Sequence, residues 1–227
     1  MLTVVQSTQS GDLSDTTTLP AGVAKGNSLL ICAGCYNLSG QSAAPTAPAL
    51  GGVGLVGFTT PLQDLGPVVA TNGVGYTFWL YQGLTAAQAG QQVITFTSPT
   101  PINGYALELN SGGLPIAVDR TSPAPQNGTA TAFDSGPTPA VRFGGEVIVG
   151  ACPAFGEPLT LTSPGWNVVG EQNFMSLGYQ SAAAAGGVYD YAGTIAGDVA
   201  WAAGILTLYT PQAAGLDGAA RLILGLP

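Results

Sequence analysis

The chain has 227 residues and a mass of 22.6 kDa, which suits one large all-β domain or two small ones and is enough to bury a sizeable core. Hydrophobic residues make up 46% and charged residues 7%, against about 25% charged in an average soluble domain, a balance that excludes disorder. The net charge is -8, with Lys25, Arg120, Arg142 and Arg221 far apart, which excludes a nucleic-acid partner, and no apolar run of about 18 residues exists to span a membrane.

The opening stretch, MLTVVQSTQSGDLSD, has neither a basic region nor a long apolar one, so no signal peptide is expected. After Leu2 to Val5 the chain turns polar through Thr18. PAGVAKGN (Pro20 to Asn27) reads as a turn before the first strong strand, Ser28 to Tyr36. A Ser/Ala/Pro loop follows, Ser39 to Pro48. VGYTFWLYQG (Val74 to Gly83) reads as a strand with Tyr76, Phe78 and Leu80 on one face and Thr77, Trp79 and Tyr81 on the other. Both faces are apolar, so the strand is either central or meets another chain, and Trp79 and Tyr81 are candidate interface residues. A connector of one helical turn at most (Leu84 to Gln92) leads to a strand at Val93 to Ser98. GYALELNSG (Gly104 to Gly112) alternates as a half-buried strand. Residues 113–140 are rich in Pro, Ser, Thr and Gly and predict short strands at best.

The order then repeats. GGEVIVGAC, opening at Gly144, echoes GNSLLICAG, opening at Gly26. PGWNVVGEQ stands where APALGGVGLVG stood, SLGYQSAAA where GYTFWLYQG stood, and DVAWAAGILTLY closes the half as INGYALELN did, with Leu208 matching Leu109. Each half offers about four strands, so two four-stranded antiparallel sheets packed face to face predict a jelly-roll-like sandwich of about eight strands. The expected domain is residues 1–210, with pseudo-repeats over about 20–112 and 140–210. Residues 211–227 form an apolar tail, a short helix or arm, whose Leu222, Ile223, Leu224 and Leu226 are further candidate interface residues.

The motifs carry little chemistry. Gly52-x-Gly54-x-x-Gly57 resembles a dinucleotide loop, but Pro61 blocks the helix such a loop must open. Cys32 and Cys35 lie in or beside a strand, where positions i and i+3 point to opposite faces. With Cys152 they are read as free thiols rather than a redox pair or a zinc site. No histidine is present, which removes Ser-His-Asp and Cys-His catalysis. Glycoside hydrolysis would need two carboxylates in one cleft, with Glu108, Glu146, Asp190 and Asp198 the candidates. A sugar-stacking platform would draw on Trp79, Tyr81, Trp166, Tyr179, Tyr189, Tyr191 and Trp201 in an exposed row. Neither catalytic residues, nor a cofactor, nor a metal are expected.

The phrases GNSLLICAG, VITFTS with GYALELNSG, GGEVIVGAC, SPGWNVVGEQ and AWAAGILTLY resemble a β-sandwich domain of virion structural proteins in tailed phages, particularly phages of actinobacteria. The resemblance covers most of residues 1–210. The first half departs from it in having no tryptophan where the second has Trp166, and the tail has no counterpart. It implies a non-enzymatic minor tail or capsid-surface protein located in the virion. The implied partners are other virion proteins and further copies of the chain; the alternative is a host-recognition module binding a surface glycan.

Overall fold

The computed structural model describes residues 1–11, 14–36, 46–51, 53–54, 63–65, 74–97, 102–122, 126–155, 157–171 and 174–211. Among these the chain is an all-β sandwich of sixteen strands, without a helix and with every pairing antiparallel. The first half holds β1 (Thr3–Gln9), β2 (Thr16–Thr18), β3 (Ser28–Tyr36), β4 (Thr46–Leu50), β5 (Val53–Gly54), β6 (Gln63–Leu65), β7 (Val74–Tyr81), β8 (Val93–Thr97) and β9 (Ile102–Asn110). The second holds β10 (Ala117–Thr121), β11 (Gln126–Asp134), β12 (Val147–Pro153), β13 (Leu159–Leu161), β14 (Asn167–Glu171), β15 (Met175–Ser181) and β16 (Ala192–Tyr209).

The repeat is a repeat of topology. The main sheet of the first half runs β1-β9-β3-β7-β6, and that of the second runs β10-β16-β12-β15-β14. Chain order matches these strands one for one. Each half also carries a smaller sheet: β2-β8-β4-β5 in the first, and in the second β11 and β13 on either side of the N-terminal part of β16. The 18-residue β16 therefore does in one piece what β8 and β9 do in two. The opening phrases become β3 and β12, each the middle strand of its main sheet.

Three apolar cores stack between four layers. The two main sheets face each other across a central core that draws Leu30, Tyr76, Phe78, Tyr105 and Leu107 from one half and Val147, Val149, Leu177, Leu206 and Leu208 from the other. A second core lies between the first main sheet and its small sheet, with Leu29, Ile31, Trp79, Tyr81, Ile94 and Phe96. A third, in the second half, holds Phe133, Ile148, Leu159, Tyr191, Ile195 and Ile205. Side chains alternate between the two faces of a strand, so β7 sends Tyr76, Phe78 and Leu80 to the centre and Trp79 and Tyr81 outward into the second core. All eight of its residues are buried, at about 1.5–3 kcal/mol for each large apolar side chain.

Several expectations need correcting. The sandwich has four layers rather than two, because each half covers the outer face of its main sheet itself. Residues 113–140 contain the nine-residue β11, and the strand Thr3–Gln9 extends into the stretch from Gln6 that was read only as polar. The segment matching β14 is β6, and the match of β4 is β13, since β6 and β14 each pair with the equivalent strands β7 and β15. Val53–Gly54, inside the GxGxxG stretch, pairs with β4 as a strand. The opening phrases align Gly26 with Gly145, one residue later than Gly144. Both glycines have positive φ, 83° and 76°. Gly26 N–H donates to Leu84 O and Leu84 N–H returns to Asn27 O; Gly145 N–H donates to Ala182 O and Ala182 N–H returns to Glu146 O, all at 2.8 Å. A slip of one residue would exchange the faces of the strand; this register keeps Leu30 and Val149 in the central core together.

The halves are also joined by polar and close contacts. Tyr105 Oη donates to Met175 O at 2.6 Å, buried. Gly204 lies directly against the Tyr76 hydroxyl, where a Cβ has no room.

Candidate functional site

The chemistry-bearing side chains gather where the strand pairs β3–β9 and β12–β16 begin, at equivalent places in the two halves. In the first half Glu108 projects from β9 and is 1% exposed. It accepts hydrogen bonds from Gln6 Nε2 at 2.5 Å, Asn27 Nδ2 at 2.6 Å and Ala24 N at 2.8 Å. One carboxylate thus ties β1, the turn before β3 and β9 together, with its charge spread over three donors.

The second half places the acid differently. Glu146 stands at the Asn27 position, and Thr207 stands where the first half has Glu108. Glu146 is fully buried and accepts Phe143 N–H at 2.9 Å, with the Thr207 hydroxyl and the Asp119 carboxyl beside it. Asp119, on β10, has a fully buried side chain. It accepts Arg142 N–H at 2.9 Å and the Arg142 guanidinium, while Arg120 Nε stands 3.6 Å away. Arg120 N–H donates to Thr207 Oγ1 at 3.0 Å. Burial opposes ionisation of Asp119, yet the backbone and guanidinium bonds from Arg142 hold its carboxyl below the usual range. Burial, and then the Asp119 charge, push Glu146 up. The two carboxyls titrate as a coupled pair, in which burial favours the neutral form at Glu146 and the Arg142 hydrogen bonds favour the charged form at Asp119.

This pair fixes the turn at Arg142–Phe143, which floors an open cleft of about 640 Å³. Phe143 stacks on Tyr209, with ring centroids 4.7 Å apart and planes at 18°. The Arg142 guanidinium carbon lies 5.9 Å from the Phe143 centroid, a cation–π geometry. Met1 and Pro211 line the rim. Met1 is 90% exposed and Phe143 44%.

The residues singled out from sequence are distributed elsewhere. Trp79 and Tyr81 are buried in the core of the first half, so their rings are interior packing and present no surface to another chain. Burial raises the Tyr81 hydroxyl to about 12. Leu222, Ile223, Leu224 and Leu226 lie outside the described residues. Of the remaining rings of the proposed stacking platform, Tyr191 is buried and Trp166, Tyr179, Tyr189 and Trp201 are half-buried; none forms an exposed row. Glu108 and Glu146 bind separate partners, Asp198 is exposed, and Asp190 is raised by burial and by Asp134 beside it. Cys32 and Cys152 are buried and neither is in a disulfide. Both lie near Tyr76, whose hydroxyl is pushed far above its ordinary value by burial first and by these thiols second. Among the described residues no three His, Cys, Asp or Glu side chains converge as metal ligands, and no helix is long and apolar enough to cross a membrane.

No family model, curated protein or solved structure matches the chain.

Sequence reasoning missed Asp119, Arg142, Phe143 and Tyr209. One signal was available: the residue after each left-handed glycine, Asn27 and Glu146, is polar inside an otherwise apolar phrase. As an arrangement, the acid pair can hold a turn and titrate together. It cannot reach a ligand without opening, since Asp119 and Glu146 are both inaccessible. What faces outward is the apolar and cationic surface of the turn it holds.

Proposed function

We propose that this chain is a virion structural protein of a tailed phage, acting through contacts with other virion proteins and with further copies of itself. The observation that carries the reading is the duplicated winding. In each half the chain alternates between main and small sheet, β1 to β4 and again β7 to β9, with the same alternation from β10 to β13 and β15 through β16. We read this alternation as jelly-roll-like, an architecture used in viral capsid and lectin domains. Two such units share a central core and make one stiff block. Its buried acids Glu108, Asp119 and Glu146 hold turns from inside the fold. With 7% charged residues, copies of the block meet little electrostatic resistance when crowded. The sequence resemblance to virion β-sandwich proteins supports the same reading.

The test is to purify particles of the phage that encodes the chain, quantify the chain by peptide mass spectrometry, and locate it with gold-labelled antibody. A fixed copy number per particle, with label on head or tail, is the expected result. Recovery of the chain only from the infected-cell lysate, with none in purified particles, would overturn the proposal.

A further inference from the structure

The two ends of the sandwich differ in charge. Strand pairing sets Thr3 beside Asn110, Ser28 beside Leu109 and Leu29 beside Tyr81 at one end of the first main sheet. It sets Val147 beside Ser181 and Leu208, and Ala117 beside Tyr209, at one end of the second. These ends lie together, since a Cβ on Gly145 would touch Met1; at the opposite end one on Gly34 would touch Met175 and Pro153. Lys25 in the turn before β3, Arg120 on β10 and Arg142 in the turn before β12 stand at or next to the first end, and they are the only lysine and arginines among the described residues. Their neighbouring acids Glu108, Asp119 and Glu146 are buried, whereas all three cations reach solvent. Burial favours the neutral form of Glu146, so the accessible surface of this end is positive. Leu114, Phe143 and Val188 are exposed around the cations.

The exposed and half-exposed acids Asp15, Glu157, Glu171 and Asp198 mark the opposite end. Glu171 closes β14 beside Ser176, and Glu157 follows the end of β12 and packs on Gly197. Asp15 O accepts the N–H of Phe96, whose ring lies on Gly104. Asp134 and Asp190 lie between the ends, where β11 stops opposite Ala192. Phe155 and Phe174 are half-buried within three residues of Glu157 and Glu171. An apolar, positive surface fits a partner that is acidic and partly apolar, and the far end of another copy is such a partner.

We propose that copies of this chain stack end to end, the Lys25, Arg120 and Arg142 end of one against the Glu157, Glu171 and Asp198 end of the next, with Leu114, Phe143 and Val188 covered at the joint. Charge decides the polarity. A two-fold contact of the positive end with itself would set its cations against like charge, whereas a head-to-tail contact sets them against carboxylates. A head-to-tail joint leaves each copy with a free end, so the product grows as a series rather than stopping at a dimer. The stacking deepens the proposed contact between copies and rests on it. Its test uses the purified chain, so absence from particles would remove the virion assignment and leave the joint standing.

Sedimentation velocity of the full chain reads the joint. At about 20 mM salt the average sedimentation coefficient should climb through dimer and trimer as protein rises from about 5 to about 500 µM. The association constant should fall at least about tenfold at about 500 mM salt, where the Debye length is about 4 Å. Leu114→Asp, Lys25→Glu and Asp198→Lys, each checked to keep the wild-type thermal midpoint, should weaken association about three- to tenfold. An equimolar mixture of the Lys25→Glu and Asp198→Lys chains should associate more tightly than either alone, because every joint of an alternating stack then pairs unlike charges. A monomer at every concentration and both salts would overturn the proposal, as would a mixture no tighter than its components. A series arrested at the dimer, or wild-type association by Asp198→Lys, would also overturn it, since the positive end would then be meeting its own like.

Discussion

Placing a methyl on Gly204 should break the contact that locks the halves together. A Cβ there meets the Tyr76 hydroxyl oxygen well inside van der Waals distance, with Tyr76 Cζ and Ser122 Oγ each at 3.3 Å. Tyr76 is held in the central core on every side, so the ring cannot swing away. Overpacking of this kind costs about 1–3 kcal/mol, and at about 2–4 °C per kcal/mol for a chain of this size the midpoint falls by about 2–12 °C. Tyr76→Phe removes the offending oxygen and leaves only the 3.3 Å contacts, so in that background Gly204→Ala should cost under about 1 kcal/mol. Tyr76→Phe alone should be neutral or up to about 1 kcal/mol stabilising, since the hydroxyl is buried with no hydrogen-bond partner among the described residues. The double-mutant cycle then gives a coupling of about 1–2 kcal/mol. Urea unfolding followed by tryptophan fluorescence reads it, with Trp79 in the first half and Trp201 in the second reporting one transition. An equal cost of Gly204→Ala in both backgrounds, or two separate transitions with the penalty in only one, would refute the shared core.

Glu108→Ala should destabilise by about 2–4 kcal/mol, because three donors lose their acceptor, and Glu108→Gln by less; thermal melts check the order. Glu146 has a raised folded pKa, so the stability it contributes is complete below the unfolded value of about 4.3 and is lost as pH rises through the folded one. The midpoint of Glu146→Gln relative to wild type should therefore rise across that window and then level off, and a difference that ignores pH from about 4 to 8 counts against the coupled titration. Asp119 has the opposite sign: its contribution is present above about 3.9 and lost as pH falls through its lowered folded value, so Asp119→Asn should cost most near neutral pH in the same melts. Cys32 and Cys152 should resist an aromatic disulfide reagent at pH 8 until denaturant is added, since both are buried and burial holds the Cys152 thiol well above its ordinary value.

The central layer was legible because its strands alternate. Leu30 and Cys32 against Leu29 and Ile31, or Tyr105 and Leu107 against Ala106, separate into faces that the structure keeps separate. The outer layers were not. β2 is TTT and β13 is LTL, too short to carry a period, and β11 reads QNGTATAFD, polar because much of it faces solvent. Without those layers the apolar second face of β7 had no visible cover, and Trp79 and Tyr81 looked like a surface for another chain. The acid pair escaped notice because Asp119 and Glu146 meet only through the β10–β16–β12 pairing, which no local spacing records.

The order of strands has a consequence for synthesis. β1 reaches its partner only when β9 has been made, and the main sheet of the first half then closes with Tyr76, Phe78, Leu80, Tyr105 and Leu107 facing nothing. Their cover is encoded in the next hundred or so residues, which a ribosome delivers over about 5–20 s. For that interval the nascent chain presents a greasy plate to its surroundings, the period in which a chaperone has most to bind and a neighbouring nascent chain most to stick to.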